Sequence, residues 1–247
     1  MGELIAFLSG KGGTGKTSVC AGVAEALADA GCSVLCIDCD VGLRNLDISL
    51  GMADCDTLSF LDVSEGGYSL SQAAENPYYT GLYLLTAPVG RSVASISENA
   101  FSLLLSQAKK QYHYVLLDAP AGIDKGFQLA AKYADRVLLV TGADPAAMRD
   151  AAQTGQMLEL MGKNDVRLIV NRINRKMTQE LSLTIDDVMD QTGLPLMGVV
   201  PEDPSVILAA TFGRPILIYS PGKRGASGAF RRIASRIEGM PTPLLVR

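Results

Sequence analysis

Residues 4–18 read LIAFLSGKGGTGKTS, an apolar run of five followed at once by a glycine-rich turn and then by a segment of helical period. Gly10, Gly15, Lys16 and Thr17 satisfy the pattern G-x-x-x-x-G-K-[ST], and the strand-to-helix context is the one in which that pattern carries meaning. Glycines let the backbone turn its N–H groups inward around phosphates, and the start of the following helix adds partial positive charge. Gly10, Lys11, Gly12, Gly13, Thr14, Gly15, Lys16, Thr17 and Ser18 are therefore the candidate cradle for a nucleotide. Lys16 is placed to bridge β- and γ-phosphate oxygens and the Thr17 hydroxyl to ligate Mg²⁺.

Working outward, short apolar runs at 4–8, 33–37, 82–85, 114–117, 136–141, 167–170 and 196–199 alternate with helical segments at 16–29, 97–110, 125–133, 145–161, 178–191, 204–212 and 227–237. Most of the runs are continuous rather than alternating, as strands covered on both faces require. The expected fold is α/β, a doubly wound and mostly parallel sheet flanked by helices on both faces. No linker separates two composition regimes, so residues 1–247 are expected to form one domain with a short tail at 238–247. Asp144 is the expected N-cap of the helix at 145.

The 247 residues are 48% apolar, enough for a sizeable core, and carry a net charge of −4, which argues against a surface built throughout to coat nucleic acid. Five cysteines without a secretory segment imply reduced thiols and a cytoplasmic chain. The apolar runs stop far short of the roughly 20 residues that span a bilayer.

Carboxylates follow two of the strands. Asp38 and Asp40, at the end of the second, face one side if the strand persists, so both can approach Mg²⁺ and an attacking water. Asp40 is assigned to orient that water and Asp38 to hold a metal-bound water, with capping of a following helix as the alternative for either, Asp38 before Asp40. The run YVLLDAPAG at 114–122 delivers Asp118 toward Mg²⁺ and lets Gly122 approach the γ-phosphate. Lys11, five residues ahead of Lys16, is either a solvated surface lysine or a second cation for phosphoryl charge, in its own site or across a dimer interface.

These residues carry a resemblance. KGGTGKT at 11–17 resembles the deviant Walker A of the MinD/ParA ATPases, with Lys11 at the signature lysine and Thr14 where valine or isoleucine is common. DVGLRNLD at 40–47 is similar to the switch I of the MinD branch, in which Arg44 separates it from flagellar-number relatives, and DAPAGI at 118–123 is similar to DSPAGI. The resemblance implies an ATP- and Mg²⁺-dependent ATPase that forms a homodimer in the ATP state, meets a regulatory protein that stimulates hydrolysis, and acts in division-site placement. Partition-type ATPases that hold non-specific DNA, and flagellar-number regulators, are the related alternatives. It further implies switch roles for Asp40, Arg44, Asn45, Asp118 and Gly122, adenine and ribose contacts at Asn171, Pro201 and Asp203, and Asp150 as the partner of Lys11 without ATP. An amide such as Asn171 suits the adenine edge.

Several features invite other readings. Cys32, Cys36 and Cys39 have a spacing that suggests an iron–sulfur site, but on a strand Cys36 and Cys39 face opposite sides of the sheet, so unpaired packing thiols are expected. His113 is read as a surface residue. Phe230, Ile233, Ala234 and Ile237 oppose Arg231, Arg232 and Arg236 on the last helix, which is expected to pack on the sheet rather than lie on lipid. In the tail, Pro241 and Pro243 exclude a continuous helix, and insertion of Leu244, Leu245 and Val246 is worth at most a few kcal/mol. Lys163, Arg167, Arg172, Arg175 and Lys176 are the residues that could supply a local patch for DNA.

Overall fold

The computed structural model describes residues 1–41, 43–91, 96–180 and 183–244. The chain runs β1 (Glu3–Leu8), α1 (Lys16–Asp29), β2 (Val34–Asp38), α2 (Leu46–Ser49), α3 (Phe60–Ser64), β3 (Ala74–Glu75), β4 (Leu82–Leu85), α4 (Glu98–Gln111), β5 (Tyr114–Asp118) and α5 (Lys125–Tyr133). It continues through β6 (Arg136–Thr141), α6 (Pro145–Leu160), β7 (Val166–Ile173), α7 (Arg175–Glu180), α8 (Ile185–Thr192), β8 (Leu196–Pro201), α9 (Pro204–Thr211), α10 (Ile216–Tyr219) and α11 (Gly225–Ile237). The strands form one sheet in the order β3-β4-β2-β5-β1-β6-β7-β8. Every described pairing is parallel except β3 with β4.

The two faces of β1 show why the run has no polar residue. Ile5 and Phe7 enter the core shared with α1 and α11, while Leu4, Ala6 and Leu8 enter the one shared with α4 and α5. A strand buried on both sides has no position left for water-facing chemistry, so function is displaced to its carboxyl end. That end lies at the middle of the sheet, flanked by β5 and β6, where strands added in opposite directions leave a crevice.

Local signals fix most boundaries. Asp144 caps α6 by accepting from the Ala147 N–H at 3.0 Å, and Ser97 caps α4 through Ala100. The helix expected over 178–191 is divided. Thr184 and Asp187 form a reciprocal capping box that begins α8 afresh, and residues 181–182 of that span lie outside the described ones. β3, with two residues, is too short to show a period, and α2, α3 and α10 were not anticipated for the same reason.

α11 packs on α1 and β8 as expected, with Phe230, Ile233, Ala234 and Ile237 buried. Its basic face serves the fold as well. Arg231 pairs with Asp29 at 3.0 Å, and Arg236 donates to the carbonyls of Met197 on edge strand β8 and Thr242 in the tail. Leu245 and Val246, named above for membrane insertion, lie outside the described residues, and no described helix is long and apolar enough to cross a membrane.

Candidate functional site

The glycine-rich turn closes β1 onto α1 with both ends of the loop braced. At Gly10 an added Cβ would come 2.6 Å from Thr154 Oγ1 and 2.9 Å from the Asp150 carbonyl, so α6 packs directly against the loop backbone. Gly15 stands at φ 82°, in the left-handed region, and is the N-cap of α1 with no side chain accepting from the first turn. The first N–H groups of α1 therefore point outward without a capping partner, the arrangement that receives an anion.

On the other side, Asn171 Nδ2 donates to the Thr14 carbonyl at 2.8 Å and Arg172 donates to the Gly13 carbonyl at 3.0 Å. Arg172 is the one described non-glycine residue with positive φ, at 56°. Its backbone leaves the usual region at the end of β7, where the guanidinium reaches back to the loop.

Lys16 is 6% exposed, and its Nζ lies 2.5 Å from Asp118 Oδ1. Burial opposes the ammonium, yet the Asp118 carboxylate more than compensates and holds the Lys16 pKa above the ordinary lysine value. Asp118 is in register with Asp38 across β2 and β5. Desolvation, and next the Asp118 charge, push Asp38 up to about 7 against three backbone donors. Those donors are the N–H groups of Asp40 at 2.9 Å and of Asn45 and Leu46 at 3.2 Å each.

The structure thus realises the helix-cap alternative for Asp38, whose carboxylate organises the loop before α2. Arg44 is bound behind that loop, to Asp47 at 2.7 Å and to Thr57 at 2.9 Å, while Asn45 is exposed as the N-cap of α2. Asp40 is half-exposed and accepts from the Leu43 N–H at 3.2 Å. Gly122 donates its N–H to the Ser9 carbonyl at 3.1 Å, so in this conformation that amide is engaged.

One expectation is corrected and a second is qualified. Lys11 does not meet Asp150: its ammonium is 3.4 Å from Asp144 Oδ1, the same oxygen that caps α6, because the side chain meets the N-cap of α6 and not its second turn. The Ala147 N–H, against the penalty of burial and with Lys11 adding, holds Asp144 below the usual carboxylate value. Asp203 lines the cleft described below, but its carboxylate is already engaged within the protein. It caps α9 through the Ser205 N–H and accepts from Ala226 N–H at the start of α11, both at 2.9 Å.

Beside the loop lies a cleft of about 680 Å³ lined by Gly15, Ser18, Asn171, Pro201, Val206 and Ala210, among others. Its size and its mixture of apolar wall and few polar groups suit a nucleoside. Asn171, Pro201 and Asp203 line it, and the Asn171 Oδ1 has no protein donor among the described residues. Ser9 and Thr14 hydroxyls, at the turn itself, are buried without a partner among the described residues.

The alternative features separate from the site. Cys36 packs on the α1 face and Cys39 on the other, and all five thiols are free. His113 Nδ1 bonds Ser33 at the surface. Arg167 and Arg172 stand near opposite ends of β7, roughly 17 Å apart by strand rise, so these two of the basic residues named for DNA do not share a patch. The Arg175 side chain lies outside the described ones.

A family model for the CobQ/CobB/MinD/ParA nucleotide binding domain matches residues 5–216. The septum site-determining protein MinD of Synechocystis sp. is 35% identical over 99% of this chain and 92% of its own length. This chain belongs to the MinD/ParA family. Within it the resemblance is to the MinD branch: the Aquifex aeolicus MinC:MinD cell division protein complex contains a chain that superposes with a TM-score of 0.89 at 35% identity, covering 98% of both chains. MinD of Pyrococcus horikoshii, solved with Mg-ADP, superposes with a TM-score of 0.84 at 26% identity over 96% of both. The doubly wound P-loop architecture expected from residues 4–18 is that of these MinD structures.

Proposed function

We propose that this MinD-family chain is a Mg²⁺-dependent ATPase that clasps a second copy when ATP is bound, releases it after hydrolysis, and acts with a regulatory protein in division-site placement. The observation that carries this reading is the uncapped start of α1 beside the buried Lys16 ammonium, whose counter-ion is Asp118, so that an incoming phosphate meets unpartnered N–H groups and a lysine at the end of the glycine-rich turn. The second ammonium, Lys11, is held at the rim by a half-exposed ion pair, weak enough to yield to phosphoryl oxygens.

The residues fit a magnesium ion shared with phosphate. No described cluster of three or more acidic, histidine or cysteine side chains could form an all-protein cage, and Mg²⁺ in phosphate sites uses one or two carboxylates with substrate oxygens and water. Thr17, at the first turn of α1, and Asp118 would hold it, with Asp38 reaching it through water; bound there, the ion would neutralise charge developing on the phosphates. Asp40, half-exposed at the rim, orients the attacking water, and the Asn171 amide reads the adenine edge beside Pro201. Names of the MinD relatives support the cellular role, as does the MinC partner of the Aquifex protein.

The test is calorimetry of Mg²⁺ and ATP into the intact chain and into Lys16→Ala. Heat with the parent and none with the variant is the expected result, and equal behaviour of the two removes the reading.

A further inference from the structure

Strand β7 is irregular where it meets the nucleotide cleft. It pairs with β8 at Val170 opposite Val199 and again at Ile173 opposite Pro201, with a shift in register between them that spans Asn171 and Arg172. Successive side chains of a regular strand face opposite sides of the sheet. Here both reach the same loop, Asn171 through the Thr14 carbonyl and Arg172 through the Gly13 carbonyl. The irregularity re-aims them, and the φ of 56° at Arg172 turns its side chain to the side that Asn171 already occupies. Such a backbone persists only where its surroundings hold it in place.

The two carbonyls belong to adjoining peptide planes. In a trans peptide the C=O and the N–H that follows it point in opposite directions. A bond that draws the Gly13 carbonyl toward β7 therefore turns the Thr14 N–H away from β7, and the bond to the Thr14 carbonyl does the same for the Gly15 N–H. Neither N–H donates to a protein acceptor among the described residues. Gly13 and Gly15, at φ 79° and 82°, flank Thr14 with backbone that no side chain of their own restrains. The approach is close: a Cβ added at Gly15 would lie 2.4 Å from Asn171 Nδ2. β7 thus supplies the restraint that the glycines lack.

We propose that Arg172 is a positioning residue for nucleotide binding: through the Gly13 carbonyl, and beside Asn171 on Thr14, it aims the Thr14 and Gly15 N–H groups at the phosphates. The inference rests on the phosphate site proposed above and gives the Arg172 guanidinium no contact with phosphate or base. Arg172 is exposed at the margin of the cleft, so removing its bond frees the loop without opening the core. A loop that must then be ordered by its ligand binds that ligand more weakly.

Calorimetric titration of ADP, and separately of inorganic tripolyphosphate, into the full chain and into Arg172→Met and Arg172→Lys tests this. Both replacements keep a side chain at the left-handed φ, and only lysine can donate to the Gly13 carbonyl. Arg172→Met is expected to bind both ligands roughly tenfold more weakly than the parent, and Arg172→Lys to recover most of that loss. The loss is expected to persist at about 1 M salt, where charges are screened beyond roughly 3 Å. Cooperative thermal melts without ligand show that both variants are folded. Weakening of ADP alone overturns the proposal in favour of a contact with base or ribose, and weakening that vanishes at high salt overturns it in favour of charge attraction at a distance. A lysine variant as weak as the methionine one also overturns it. A parent that binds both ligands and is matched by Arg172→Met overturns this inference alone, whereas a parent that binds neither removes the ATPase reading with it.

Discussion

Lys16 Nζ and Asp118 Oδ1 lie 2.5 Å apart inside the protein, so the lysine that would grip a triphosphate is neutralised, without one, by the carboxylate expected at the metal. Nucleotide and Mg²⁺ together would give each partner a new counter-charge. Neither ion has to be left buried and alone at any stage, a condition whose violation costs several kcal/mol.

Lys16→Ala accordingly does more than weaken binding. It leaves Asp38 and Asp118 side by side without their cation, and the nucleotide-free protein is expected to lose about 3–5 kcal/mol. The loss is larger at about pH 8 than at about pH 5, because a proton relieves the repulsion at the lower pH. Urea unfolding at the two pH values measures it.

Asp144 and Asp150 separate cleanly. Asp144→Asn keeps an N-cap of similar quality and removes the ion pair, which at this exposure is worth about 0–1 kcal/mol. The ATP concentration needed for dimerisation is expected to fall by up to about fivefold. Asp150→Asn, whose side chain does not meet Lys11, leaves it unchanged. Light scattering across an ATP titration distinguishes them.

Glu25 of α1 is completely buried and accepts from the N–H groups of Ile216 and Leu217 at 3.2 and 2.8 Å. Desolvation, opposed by those two bonds, raises its pKa to about 8. The folded state therefore holds this proton more tightly than the unfolded chain. The contribution is fully present below the unfolded value near 4.5 and is lost as pH rises toward about 8. Glu25→Gln is expected to flatten the fall in melting temperature over that window. A variant that declines as steeply as the parent would assign the effect elsewhere.

Arg172 combines a strained backbone with a bond to the Gly13 carbonyl. Arg172→Ala keeps the left-handed φ and loses the bond; Arg172→Gly loses the bond and accepts the φ. Glycine is expected to be the more stable by up to about 1 kcal/mol, with nucleotide affinity weakened in both. Chemical denaturation and ADP titration provide the two readouts.

Most of the sheet and the glycine-rich turn were legible in residues 4–18 and the apolar runs, because a strand buried on both faces leaves a continuous pattern and a phosphate loop needs particular residue types at fixed spacing. The partners of Lys11 and Asp203 were not legible. Which of two aspartates, the N-cap of α6 or the one in its second turn, reaches Lys11 depends on the angle at which that helix packs against Gly10, and the engagement of Asp203 depends on α11, whose first residues arrive from 22 and more positions away. Arg172 was read only as charge, since nothing in a sequence marks a side chain that turns back along its own strand. Asp38 carried two readings on residue type alone, and the three N–H groups around it show the capping contact, which sequence could not rank against a water-mediated metal contact.

The central claim is that the terminal phosphate decides whether two copies associate. Sedimentation velocity of Asp40→Ala, which is expected to bind ATP without hydrolysing it, tests this in Mg-ATP and in Mg-ADP. The account predicts a particle of twice the chain mass in ATP and a single chain in ADP. The same mass in both nucleotides would contradict it.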